Sequence, residues 1–115
     1  MVDDIEGAKR RTSERIAQVR ERFAAGLGAR KEALCALART AGGTDRDAAA
    51  KATDELRLGL HNLAGGAPTL GLTALGEAAA ELEKLLVMKK LPDGGLDASI
   101  ADELAVAIEA LPASA

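Results

Sequence analysis

The chain of 115 residues contains one histidine, His61, and one cysteine, Cys35. A free imidazole is largely unprotonated at neutral pH and can attack a phosphoryl group through a ring nitrogen. His61 is therefore either an ordinary surface residue or a nucleophile in its own right. A metal site would require further His or Cys at ligand spacing, and none stands there. No nucleophile elbow accompanies the histidine, and no glycine-rich phosphate loop follows a strand pattern, so a hydrolase triad and a nucleotide site are not expected. Cys35, among Ala and Leu at helical spacing, reads as a small buried apolar residue. A single cysteine permits neither an internal disulfide nor a Cys-based zinc site.

The elements that must carry these residues are helical. The chain has 26 Ala and 17 Leu, eight Val and Ile together, one Phe and no Tyr or Trp, a composition that favours helix over sheet. Gly42-Gly43, Gly65-Gly66-Ala67-Pro68 and Pro92-Asp93-Gly94-Gly95 punctuate it, and Gly and Pro pairs end helices. The first segment is expected from about Asp4 to Ala41, with Asp3 and Glu6 as a capping pair. Its stripe is Ile16, Val19, Phe23, Leu27, Leu34 and Leu37, with Gly26 and Gly28 as a point of kinking or breakage. The second segment is expected from Thr44, paired with Asp47, to about Ala64. The third is expected from about Thr69 to Lys89 with the stripe Leu72, Leu75, Ala79, Leu82 and Leu86. The fourth is expected from about Asp97 as N-cap to before Pro112, with Ile100, Leu104, either Ala107 or Ile108, and Leu111 inward. Short connections between such helices give an all-α, antiparallel up-and-down four-helix bundle with an extended N-terminal helix. Residues 1–12 lack a clear stripe and are expected to form a helical extension from a bundle spanning 13–111.

On the second helix, successive residues turn by about 100°. The apolar residues Ala52, Leu56 and Leu63 then point away from His61, while Asp54, Arg57, Leu58, Ala64 and Gly65 surround it. The imidazole is expected to face solvent. Gly65, one turn later, leaves it uncovered at a cost of about 1 kcal/mol of helix stability relative to Ala. Ending the helix is the other reading of Gly65, because Gly66 follows. Gly71 and Leu72 are expected to let the third helix pack closely on the second.

Net charge is -3 at pH 7, with 29% charged residues, which argues against nucleic acid as the main partner. Residues 1–31 hold eight basic and five acidic side chains, and the remainder seven and 13. The basic run Lys9, Arg10, Arg11, Arg15, Arg20 and Arg22 has no interleaved aromatics on which bases could stack, and reads as a solvated helix face. No stretch is long and apolar enough for a transmembrane helix, and the N-terminus lacks an apolar signal region. The expected location is the cytoplasm, and the alanine-rich composition suggests a bacterial source.

The run His61-Asn62-Leu63-Ala64-Gly65-Gly66-Ala67, with Gly71, Leu75, Leu82 and Glu83 beyond it, resembles the histidine phosphotransfer (HPt) domain family. That family's pattern is His-x-Leu-Lys-Gly, two small residues, a Gly six residues after the first, a Leu four later and then Leu-Glu. The match covers about 23 residues across a helix-turn-helix, and extends loosely over 13–111.

The resemblance implies a phosphoryl carrier in a two-component phosphorelay, not a complete enzyme. His61 would accept a phosphoryl group from a receiver-domain aspartate, of a hybrid histidine kinase or a response regulator, and pass it to another. It implies no nucleotide, metal or other cofactor on this chain, the Mg²⁺ belonging to the receiver partner. Arg57, Leu58, Ala64 and Gly65 are the candidates for phosphate stabilisation or docking. The family usually has Lys three residues after the histidine, where this chain has Ala64. Arg57, one turn before His61, is a candidate replacement cation or an ordinary solvated Arg. The missing Lys also motivates an alternative, a catalytically degenerate module that binds and sequesters a receiver domain. A second alternative is a structural oligomerisation bundle acting through the first helix, to be disrupted by charges at Val19 or Leu27.

Overall fold

The computed structural model describes residues 2–112, with side chains from Ile5 onward. Four helices follow in order: α1 (Val2–Ala41), α2 (Arg46–Thr69), α3 (Thr73–Lys89) and α4 (Ala98–Glu109). The described residues contain no strand. α1 packs on α2 and α4, α2 packs on α3, and α3 closes the ring on α4, giving the expected four-helix bundle.

Each boundary has a local cause. The chain leaves α1 through Gly42 and Gly43, and a Cβ on Gly42 would collide with the Cβ of Ala101 in α4. Asp45, not Thr44, caps α2: its carboxylate accepts from the backbone N–H of Ala48 at 3.1 Å. The expected Thr44 cap is thus displaced by one residue, and it is the Asp45 carboxylate that reaches the third amide of the helix. Asp97 caps α4 as expected, accepting from the backbone and hydroxyl of Ser99. These two hydrogen bonds hold its carboxyl below the usual carboxylate range. The side chain of Asp3, expected to cap with Glu6, lies outside those described.

The largest departure from the sequence reading is the length of α2. It does not end near Ala64 but runs through Gly65, Gly66 and Pro68 to Thr69. Pro68 is the last residue but one of α2, so the i→i−4 hydrogen bond that its missing N–H cannot make to Ala64 is lost only at the very end of the helix. The turn is made at Gly71, whose φ of +78° lies in the left-handed region that favours glycine. Consequently α3 starts at Thr73 and not near Thr69. The close approach of α3 to α2 is made by Gly76, not by Gly71 and Leu72. A Cβ there would lie 2.6 Å from Cγ of Pro68 and 3.2 Å from the Ala64 carbonyl.

The core is leucine against alanine. Leu56, Leu60 and Leu63 of α2 meet Leu75 and Leu86 of α3, Leu104 and Ile108 of α4, and Leu34, Cys35 and Ala38 of α1, all buried. Burying each large side chain contributes about 1.5–3 kcal/mol. The Cys35 thiol donates to the Ala105 carbonyl at 3.4 Å, and burial pushes its pKa up.

The two ends of the bundle are pinned by polar contacts. Arg46 forms a bidentate pair with Asp93 in the α3–α4 loop, at 2.7 and 3.0 Å, and also donates to the Gly43 and Leu96 carbonyls. The guanidinium holds the Asp93 carboxyl below its ordinary range. Lys31 of α1 donates to the carbonyls of Glu109 and Leu111 at 3.2 and 2.7 Å, a cation placed where the dipole of α4 is negative.

α1 is one uninterrupted helix. Gly26 and Gly28 neither break nor end it. Leu27 between them is buried, and a Cβ on either glycine would meet nothing within 4 Å. Anchoring of the core leucines thus outweighs the local glycine cost. The burial pattern along α1 changes at Phe23. Leu27, Leu34, Ala38 and Ala41 are buried, whereas Ile5, Ile16 and Val19, on the same stripe, are exposed. The molecule measures 65 × 21 × 20 Å as a result.

Candidate functional site

α2 presents its core face through Leu56, Leu60, Leu63 and Ala67, and the opposite face to solvent. His61 is on that outer face with its side chain 64% exposed, as its helical angle predicts. Leu58 is exposed beside it, Gly65 is exposed one turn later, and Ala64 is half-buried. A Cβ at Gly65 or Gly66 would meet nothing within 4 Å. Since Gly65 lies inside the helix, ending α2 is not its role, and packing does not require it there.

The imidazole is held from one side. Its Nδ1 lies 3.1 Å from both carboxylate oxygens of Glu83, on α3. An ionised carboxylate only accepts hydrogen bonds, so Nδ1 must carry the proton and donate it. Nε2 of the neutral ring then bears the lone pair. Glu83 is largely covered, its side chain 18% exposed, while the ring above it is open. Arg57 Nη1 donates to Oε2 of the same carboxylate at 3.4 Å. One carboxylate therefore orients the ring and engages the nearest cation.

The α2–α3 packing makes this geometry possible. Gly76 brings α3 close to the last turns of α2. Glu83 lies two turns further along α3, level with His61 and Arg57. Beyond them Lys90, at the C-cap of α3, makes a third contact to α2, Nζ to Asp54 Oδ1 at 3.3 Å.

The structure thus brings His61, Arg57, Leu58, Ala64 and Gly65 to one face. Arg57 is not an isolated solvated cation, because its guanidinium is directed at Glu83. The sequence reading assigned no role to Glu83, although the residue stands in the Leu82-Glu83 pair it singled out. Nothing in helical spacing links positions 61 and 83, which lie on different helices. No group of three or more His, Cys, Asp or Glu among the described residues could hold a metal ion. No helix among them is long and apolar enough to cross a membrane.

The Hpt domain family matches residues 11–114 of the chain. No curated protein and no solved structure matches it. The domains of this family are helical phosphocarrier modules that serve histidine phosphotransfer in two-component phosphorelays. With that match running from the exposed half of α1 to the end of the bundle, the chain belongs to the Hpt domain family.

Proposed function

We propose that His61 is the phosphoacceptor of this chain, relaying a phosphoryl group between receiver-domain aspartates. The reading rests on one observation above all: the imidazole is tied through Nδ1 to Glu83 and exposed at the rest of the ring. In transfer, the Nε2 lone pair attacks the phosphorus of an aspartyl phosphate. The N–P bond forms as the P–O bond to the aspartate breaks, and the carboxylate leaves. The ring retains its Nδ1 proton and becomes a cation, which the Glu83 carboxylate faces and stabilises. Reversal of the same steps hands the group to a second receiver.

Glu83 is a positioning residue in this scheme, and it supports Nε2 attack by holding the tautomer. Leu58 and the small surface of Ala64 and Gly65 let the partner's loops approach the ring. With Ala64 in place of the family's usual Lys, Arg57 is the nearest cation on the chain, and Glu83 already engages it. Most of the charge neutralisation then comes from the partner, whose receiver pocket supplies the Mg²⁺. The chain itself needs no nucleotide and acts as a carrier, with a receiver domain of a response regulator or hybrid histidine kinase as partner in a bacterial cytoplasm. Residues 13–111 form the carrier module and residues 1–12 its extension.

The test is phosphotransfer from a panel of phosphorylated receiver domains to the purified chain, with His61→Gln beside it. Acid-labile, alkali-stable label should appear on the wild type and vanish in the variant. A receiver that binds but labels neither protein would point to a sequestering module, with Ala64→Lys as the variant to make next.

A further inference from the structure

We propose that the N-terminal half of α1 is a docking strip for an acidic amphipathic helix of a partner protein. At about 100° per residue, Ile5, Thr12, Ile16, Val19 and Phe23 fall within about 30° of one line along α1. The same line continues into the bundle as Leu27, Leu34 and Ala41, where it is buried. Ahead of Phe23 no described residue of the bundle buries it: Ile5 is 60% exposed, and Ile16 and Val19 are each 46% exposed. About 25 Å of helix carries an apolar seam that the fold does not use.

The charge on either side of the seam identifies its occupant. Lys9 and Arg20 border one edge and Arg15 and Arg22 the other, each within about 90° of the line. Glu14 and Glu21 lie on the opposite side of the helix. Arg20 is already tied to the bundle, its Nε donating to the Leu70 carbonyl at 2.7 Å. Among the described residues no carboxylate pairs with Arg15 or Arg22. A second copy of α1 laid on the seam would bring cation against cation along both edges, which destabilises a helix pair. A helix with Asp and Glu at the flanking positions would meet a cation on each edge. The seam is also narrow, one or two side chains wide with Thr12 in the middle. That width suits knobs-into-holes contact with a helix better than insertion into a bilayer, which needs a broad face of bulky apolar residues.

The experiment titrates the full chain into a fluorescent synthetic helix about three heptads long, with Ile and Leu at the seam and Glu on its flanks. A peptide with Lys flanks, phosphatidylglycerol vesicles and sedimentation of the chain alone run in parallel. The Glu-flanked peptide should bind, and binding should weaken several-fold when salt rises from about 0.05 to 0.3 M. The pair of substitutions Ile16→Glu and Val19→Glu should lower affinity at least tenfold. The pair Arg15→Glu and Arg22→Glu should reverse the preference toward the Lys-flanked peptide, a gain that misfolding would not produce. His61→Gln should leave binding unchanged, which keeps the test separate from phosphoryl transfer. The proposal is overturned if neither peptide binds or if both bind alike. It is equally overturned if the seam substitutions instead dissolve a dimer of the chain, or abolish vesicle binding while the Glu-flanked peptide is ignored.

Discussion

The two faces of α2 have opposite demands. The inner face is a row of Leu56, Leu60 and Leu63, buried against three other helices. The outer face carries Arg57, Leu58, His61 and Gly65, in contact with solvent and with one carboxylate from α3. On the inner face, identity is set by volume, since close-packed leucines and alanines leave no slack. On the outer face, a glycine that no neighbour requires is kept inside a helix it weakens. What makes the outer face suited to transfer is therefore openness and the orientation of one ring, neither of which contributes much to stability.

Substitutions at three positions would break or sharpen that contrast. The largest effect belongs to Leu60→Ala on the inner face. Removing this buried side chain should lower unfolding free energy by about 2–5 kcal/mol, read by urea titration. His61 chemistry should persist in the molecules that remain folded. Glu83→Ala comes next. It removes the group that holds Nδ1, so transfer to His61 should slow about tenfold, the low end for a hydrogen bond to a charged group. Folding midpoints should hardly move, because the partners of Glu83, His61 and Arg57, are open to solvent and such pairs contribute little to stability. Glu83→Gln keeps an acceptor oxygen without the charge and should fall between, as single-turnover rates would show. Smallest is Gly65→Ala, which should raise stability by about 1 kcal/mol, since the added methyl meets open space and favours helix. Any accompanying loss of transfer rate would show that the glycine serves the approach of the partner. An unchanged rate would assign that role to Ala64 and Leu58 alone.

The first helix repeats the lesson along its length. Leu27 and Val19 share one stripe, yet Leu27 is buried and Val19 exposed. A charge placed at Leu27 would unfold the bundle, so it cannot serve as a probe of association, whereas a charge at Val19 can.

Much of this was legible beforehand. Leucine spacing identified four helices and their inward faces, and Asp97 was readable as an N-cap because its side chain acts on the adjacent turn. The outward direction of His61 followed from the helical angle alone. The end of α2 was not legible. Gly65, Gly66 and Pro68 read as a stop, and local propensity does argue for one. The packing of Ala67 and Leu72 into the core and the close seat of Gly76 against Pro68 outweigh that propensity and carry the helix on to Thr69.

By itself the sequence determined the apolar stripe of each helix, which face of α2 is open and where the one imidazole points, because these follow from a period of 3.6 residues. The tertiary structure alone decided which carboxylate holds that imidazole, how Arg57 is engaged and where α1 leaves the bundle. Those depend on the register between helices, which glycine-sized contacts set across distances in sequence that no local period spans.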